Sequence, residues 1–223
     1  MDNSTHLNAK DYDAKIGVTL PFYSEFYIQT IDLVKSFHLH EGKWLDSGCG
    51  TGAMIDEALK DLDGFQYVLS DPSEAMISVA KTRLSGKRQI IDYLICGSQH
   101  LQYTDEFDVI TAIQSNHYMQ YEDRCLAAKS IFSALKENGV FIFFENYAPS
   151  CIRSKAIAMD RWGRFQKERG KSDTEVSQQL QRYGVNYFPI TLKEHFKLLL
   201  DTGYKVTEIF WLSYMQVGIY AIK

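Results

Sequence analysis

The stretch KWLDSGCGTG, residues 43–52, decides the fold. Trp44 and Leu45 read as the end of a short buried strand, Asp46 sits where that strand runs out, and Gly48, Gly50 and Gly52 follow at alternate positions. Glycines there let the backbone turn tightly with no Cβ in the way, so the loop can hold a ligand through its own backbone. The sequence from Thr51 onward, TGAMIDEALKDL, reads as a helix whose free N–H groups face the same crevice. The alternative grouping of Gly48, Gly50 and Ala53 fits the dinucleotide fingerprint, which keeps a nicotinamide or flavin oxidoreductase in view.

Working outward, residues 65–69 (FQYVL) read as the second strand, followed by DPSEAM. Asp71 lies 19 positions beyond Gly52 at that strand's end, where a carboxylate can accept from two ribose hydroxyls. Asp71 and Glu74 also have capping-box spacing, with Pro72 placed to open the next helix. Residues 89–95 form a third strand running into CGSQHL, and Phe107–Ile113 a fourth, ending in Gln114, Ser115, Asn116, His117 and Tyr118. A helix over 122–137, stopped by Asn138 and Gly139, precedes a central fifth strand over 140–144, closed by Glu145, Asn146 and Tyr147.

Residues 45–52, LDSGCGTG, resemble motif I of the class I S-adenosylmethionine-dependent methyltransferases, an acidic residue followed by G-x-G-x-G, and DPSEAM resembles that family's pattern at the second strand. The resemblance covers residues 40–145 well. It implies S-adenosyl-L-methionine as cofactor, with S-adenosyl-L-homocysteine as product. It places Asp46, Gly48, Cys49, Gly50 and Gly52 against the methionine portion, Asp71 at the ribose, and Ser98, Gln99 and Leu101 at the adenine; Pro72, Met76 and Gln114 join the cofactor set. Many relatives carry Gly-Asp-Ala at the turn after the third strand, and Ser98 here stands in the place of that Asp. The implied fold is α/β, a Rossmann-like doubly wound, mostly parallel seven-stranded sheet in the order 3-2-1-4-5-7-6.

The rest of the chain dresses this core. Residues 1–11 are polar and read as mobile until bound. Residues 12–38 form an N-terminal lid region, in which PFYSEFYIQTIDLVKSF carries a helical apolar stripe that begins near Pro21 and brings Tyr23 and Tyr27. After the fifth strand the strand-helix rhythm breaks over residues 148–190, too long for a plain connection. This insertion holds a helix over 154–167, a polar link and a second helical segment to Gln181. Thr191 and Glu194 mark a capping box opening a helix that Gly203 ends, and residues 205–210 with Gln216–Ile222 read as a closing hairpin. The whole, 1–223, reads as one domain.

Composition narrows the function. Of 223 residues 45% are apolar and four are proline, which suits a folded chain. A net charge of -4 disfavours nucleic acid as a general partner. Cys49, Cys96, Cys125 and Cys151 include no C-x-x-C pair, so neither a zinc site nor a disulfide framework is expected. The N-terminus lacks the charged and apolar regions of a signal peptide and no run of eighteen apolar residues occurs, so no membrane is expected and the expected location is cytoplasmic.

For chemistry, His117 and Tyr118 are the candidate catalytic pair, His117 as a base with an ordinary pKa near 6.5. Acceptor recognition draws on Tyr23, Tyr27, Asn116, Glu145 and Asn146, and on Arg161 and Arg182, with Arg164 one turn from Arg161. The leading expectation is methyl transfer to a small-molecule nucleophile bearing a carboxylate or other anion. Against it stand a tRNA-modifying enzyme, an enzyme forming carboxy-S-adenosylmethionine, and a non-catalytic S-adenosylmethionine-binding regulatory or assembly subunit. The insertion also suits a homodimer interface.

Overall fold

The computed structural model describes residues 12–223; the expectation for residues 1–11 lies outside them. Seven strands, β1 (Gly42–Ser47), β2 (Phe65–Ser70), β3 (Ile90–Leu94), β4 (Phe107–Ile113), β5 (Leu135–Asn146), β6 (Val206–Ser213) and β7 (Gln216–Ile222), form one sheet in the order β3-β2-β1-β4-β5-β7-β6. Strands β1 to β5 are parallel neighbours, and β7 runs antiparallel between β5 and β6. The expected order and the closing hairpin are therefore observed. Because the chain leaves β3 at one edge and re-enters beside β1 as β4, the connections diverge above β1 and β4. That opens a crevice at their carboxyl ends, where open α/β sheets bind ligands.

Alternation along the strands gives each face a core. Trp44, Tyr67, Val109 and Ile142 pack with residues of α2 (Tyr23–Ser36), α3 (Ala53–Ala58) and α4 (Glu74–Arg83) on one side. Leu45, Val68, Ile110, Phe141 and Phe143 pack with residues of α5 (Tyr121–Ala134) and α8 (Leu192–Thr202) on the other. A third cluster caps the crevice end: Ile16 of α1 (Tyr12–Thr19), Phe26, Phe144, Trp162 and Phe165 of α6 (Ile152–Glu168), and Tyr187 beyond α7 (Asp173–Gln181). The Trp162 Nε1 donates to the Thr19 carbonyl at 2.6 Å, so the N-terminal region and the insertion are bound to each other as well as to the sheet.

Several boundaries differ from the sequence reading. The helix expected from Pro21 is α2, and a further helix, α1, precedes it, with Phe22 in a left-handed conformation (φ 56°) at the α2 N-cap. Helix α3 spans only Ala53–Ala58 instead of running on from Thr51, since Gly52 is left-handed (φ 77°) at its N-cap. Helix α5 ends at Ala134, not near 137: Leu135 already pairs with Phe107 of β4, and Asn138 turns with φ 64°. Asp71 does not cap α4. Ser73 does, accepting from the Met76 N–H at 3.3 Å. The capping box at Thr191 and Glu194 forms as expected, and a second one at Ser172 and Glu175 opens α7.

Candidate cofactor and acceptor site

The loop after β1 is fixed mostly by backbone. The N–H groups of Gly48 and Cys49 both donate to the Ser70 carbonyl at the end of β2, at 2.7 and 2.9 Å. The Gly50 N–H donates to the Asp71 carboxylate at 2.9 Å, and the other oxygen of Asp71 accepts from the Ser73 N–H at 2.8 Å. Asp71 thus ties the glycine loop to the β2 end. Gly48 and Gly50 show why these positions need glycine. A Cβ on Gly48 would lie 2.3 Å from the Ser115 Cβ, so the loops after β1 and β4 touch there. Gly50 has φ 53° and nothing within 4 Å of its Cβ position, so that face of the loop is open.

Asp46 stands below this opening. Trp44 Nε1 donates to Thr111 Oγ1 (2.9 Å), which donates to one Asp46 oxygen (2.8 Å). The other Asp46 oxygen is buried with no partner among the described residues. Burial pushes the Asp46 pKa up from 3.8 to about 7, the Thr111 hydrogen bond opposing and the charge of Asp71 adding to the rise. A pocket opens here, lined by Tyr23, Tyr27, Asp46, Gly48, Gly50 and Ile113 among others. The two tyrosine hydroxyls are 2.5 Å apart at its N-terminal side.

Around the crevice other polar atoms are buried without partners among the described residues: both side-chain amide atoms of Gln114, the Gln99 Oε1 and the His117 Nδ1. Gln114 is held in a left-handed conformation (φ 56°) while its N–H donates to the Phe144 carbonyl at 2.7 Å. Native folds rarely leave such atoms unpaired, and these lie beyond the ends of β3 and β4. They fit a ligand with both donors and acceptors: S-adenosylmethionine has a cationic amino group suited to Asp46 and polar edges suited to the amides.

The remaining sequence candidates divide. Ser98 is buried in a hydroxyl chain, 2.7 Å from Ser47 Oγ and donating to Asn116 Oδ1 at 3.3 Å, so its hydroxyl braces the ends of β1 and β4. Cys49 is buried, Met76 is in the core, and Pro72 is exposed beside Asp71. Glu145 is occupied by Arg124, which donates to it at 2.5 Å in full burial and also holds the Phe188 carbonyl at 3.2 Å. Asn146 accepts from Gln216 of β7 at 2.8 Å. Arg161 is exposed and lies over the Tyr214 ring, 4.6 Å from its centre, and Arg164 pairs with Asp160 on the α6 surface. Neither lines the pocket below the glycine loop.

Arg182 turns the other way, close enough that its charge acts on His117, Tyr118 and Tyr187. The ordinary pKa expected for His117 is not what its surroundings give. Burial, then the charges of Arg124 and Arg182, lower it to about 3, so the imidazole is neutral and a weak base. Burial raises the Tyr118 pKa despite Arg182, leaving its hydroxyl protonated. Arg124 gave no signal in the sequence, since its partner Glu145 is 21 residues away on another element.

Comparison with known proteins agrees with this geometry. A family model described as "Methyltransferase domain" matches residues 45–141, the span from β1 to β5. Over that span the chain is similar to methyltransferase domains, in line with the resemblance carried by LDSGCGTG. That similarity implies S-adenosylmethionine as the cofactor. The chain is 26% identical over 204 residues, 90% of its length and 86% of the other's, to a carboxy-S-adenosyl-L-methionine synthase of Nautilia profundicola. Its fold is shared with a SAM-dependent methyltransferase of Leishmania major (TM-score 0.68, 15% identity, 100% of this chain and 79% of that one). It is also shared with human N-acetylserotonin methyltransferase in complex with SAM (TM-score 0.58, 16% identity, 82% and 47%). Among the described residues no helix is long and apolar enough to cross a membrane.

Proposed function

We propose that this protein moves the methyl group of S-adenosylmethionine to a nucleophile on a small organic molecule that carries a carboxylate or other anion. The observation that carries the reading is the pocket at the glycine loop, where Asp46 and the loop glycines face Tyr23 and Tyr27; the positive charge of Arg182, felt at His117 and Tyr118 beyond β4, is what favours an anionic acceptor. An arginine there can fix an anionic group by paired hydrogen bonds and so set the rest of the acceptor in register. The sulfonium of the bound cofactor supplies an already activated methyl group. The task left to the chain is alignment and exclusion of water, for which Tyr23, Tyr27 and the cluster around Trp162 and Tyr187 form a cover. With His117 neutral and Tyr118 protonated, the β4 edge offers hydrogen bonds and no strong base. That favours an acceptor atom that already has a free lone pair at neutral pH.

A second reading is favoured by the similarity over most of the chain to proteins named carboxy-S-adenosyl-L-methionine synthase. In it, Arg182 holds the carboxylate of a carboxyl donor and the cofactor itself is modified. One experiment separates the two. The protein is incubated with S-adenosylmethionine and a panel of organic acids, and the products are read by mass spectrometry. Methylated acid with S-adenosylhomocysteine supports the first reading, and carboxylated S-adenosylmethionine supports the second. Tight cofactor binding with neither product sinks both and points to a non-catalytic subunit.

A further inference from the structure

Arg124 is a cation near the start of a helix and inside the protein, two places that disfavour it. It stands in the first turns of α5 and is 3% exposed, where the helix dipole favours anions such as its neighbours Glu122 and Asp123. Helix stability therefore does not account for it. Its guanidinium is divided between two elements: Nη1 donates to Glu145 Oε2 at the end of β5 at 2.5 Å, and Nη2 donates to the Phe188 carbonyl at 3.2 Å. Neutralising Glu145 needs only the first contact, so charge balance does not explain the second.

Phe188 is where the insertion is tied back to the sheet. From Arg182 to Tyr187 the chain closes on itself: the Val185 and Asn186 N–H groups donate to the Arg182 carbonyl at 3.0 and 2.8 Å, and the Gly184 N–H to the Tyr187 carbonyl at 2.8 Å. At Phe188 both backbone groups turn outward. Its N–H donates to the His117 carbonyl at 2.7 Å, in the turn Asn116–Tyr118 that follows β4, and its own carbonyl is the one that Arg124 holds. The next tie, from the Ala148 N–H to the Ile190 carbonyl at 2.8 Å, lies two residues further on. Arg124 thus closes a circuit from α5 through Phe188 to His117, with Glu145 as its second anchor.

The same turn reaches the cofactor side. Asn116 Oδ1 accepts from Ser98 Oγ at 3.3 Å, and Ser98 Oγ is 2.7 Å from Ser47 Oγ at the end of β1. Asn116 also lines a small cavity together with Arg124, Glu145 and His195 of α8. One end of the turn is therefore braced by the residues that shape the cofactor crevice, and the other by a segment whose place depends on Arg124. Tyr187, one residue before the tie, has its ring centre 5.9 Å from that of His117. A shift at Phe188 would move this acceptor edge and leave the glycine loop where it is.

We propose that Arg124 is a positioning residue for methyl transfer: through the Phe188 carbonyl it sets the insertion and the 116–118 turn in register, so that an acceptor bound against them lies in line with the methyl group. The catalytic consequence rests on the methyl-transfer reading, and the register on the hydrogen bonds alone. Arginine suits the task because its planar fork reaches two acceptors in fixed directions, whereas a lysine ammonium is a point charge on a flexible stem that can satisfy Glu145 without fixing Phe188. A misplacement on the order of 1 Å is enough to cost such a reaction about a hundredfold.

The test uses the full chain loaded with S-adenosylhomocysteine. Arg124→Met combined with Glu145→Gln leaves no buried unpaired charge, and Arg124→Lys, which keeps a charge beside Glu145, is measured with it in case the double variant folds poorly. In both variants the Phe188 amide should exchange its hydrogen at least about tenfold faster than in wild type, through loss of a charge-assisted hydrogen bond, while the Gly184 amide, bonded within its own loop, should not. With an acid that the wild type methylates, kcat per cofactor-binding site counted by calorimetry should fall at least about tenfold, with affinity for S-adenosylhomocysteine within about twofold of wild type. Counting sites keeps a smaller folded fraction from imitating that fall. Unchanged exchange at Phe188, or equal acceleration at Gly184, overturns the register. A loosened Phe188 with kcat intact overturns the positioning role. A wild type that methylates no acid defeats the methyl-transfer reading and the catalytic consequence with it, while exchange at Phe188 still decides the register.

Discussion

Asp46→Asn should make the apo protein more stable at alkaline pH while weakening its hold on the cofactor. In the unfolded chain this carboxyl ionises near 3.8, and in the folded one at about 7, chiefly because burial strips its water. Below 3.8 the two states hold the same proton and the group contributes nothing. Between the two values the folded state binds more protons, so stability falls as pH rises, and above 7 the full cost of burying the carboxylate is borne. That cost is about three pH units at about 1.4 kcal/mol each, or about 4 kcal/mol. Asparagine keeps the oxygen that accepts from Thr111 and puts a neutral amide where the unpartnered oxygen stands. Urea unfolding of apo protein at pH 5 and pH 8.5 should therefore show the variant gaining on wild type by a few kcal/mol at the higher pH only. Calorimetry should show the reverse for S-adenosylmethionine: about 10- to 100-fold weaker binding, from losing one charge-assisted hydrogen bond. Wild-type affinity should rise with pH up to about 7 and then level, and the variant's should be flat through that range. A variant less stable than wild type at pH 8.5, with cofactor affinity intact, would refute the idea that Asp46 is a carboxylate waiting for a cation.

Three further outcomes follow from the same geometry. Ser73→Ala should lower stability by about 1 kcal/mol through loss of the α4 cap with little change in cofactor affinity, whereas Asp71→Ala should weaken cofactor binding as well; equal effects on binding would show that Asp71 only shapes the loop. Gly50→Val should weaken S-adenosylmethionine binding at least about tenfold, because valine is strained at φ 53° and its side chain projects onto the open face of the loop; an unchanged dissociation constant means that no ligand comes near. Arg124→Gln should cost about 3–5 kcal/mol in urea unfolding by leaving Glu145 buried and unpaired, and Arg124→Met with Glu145→Gln should recover part of it; a loss under about 1 kcal/mol would mean that water reaches the carboxylate.

What could be read from the sequence was what is local. The glycine loop and the Thr191 capping box are each specified within a few residues by backbone requirements, and both form in the structure. Competition between neighbours was harder. Asp71 and Ser73 are both good caps, and Asp71 is drawn away by the Gly50 N–H, which arrives from 21 residues upstream. Helix α1 escaped notice because eight residues, YDAKIGVT, carry little periodic signal, and its hold comes from Thr51, Arg83 and Trp162. Arg161 and Arg182 were equivalent on paper. Only the packing of α6 and α7 sets one over Tyr214 and the other where its charge is felt at His117.

The polar groups of the crevice are of two kinds, and the difference indicates what the fold completes alone. Asp71 has both oxygens engaged by backbone N–H groups, and Ser98 is committed to Ser47 and Asn116, so the outline of the loops is set before any ligand arrives. Asp46 and Gln114 each keep buried atoms without partners, at a cost on the order of 1–3 kcal/mol per group. A fold can carry such costs where a bound ligand removes them. The satisfied groups thus fix the shape of the crevice, and the unsatisfied ones would return free energy only to a ligand that brings a cation and polar edges to them. Such a division makes affinity depend on a few atoms at the ends of β1 and β4, and it explains why this edge can be held rigid by Asp71 while remaining destabilised at Asp46.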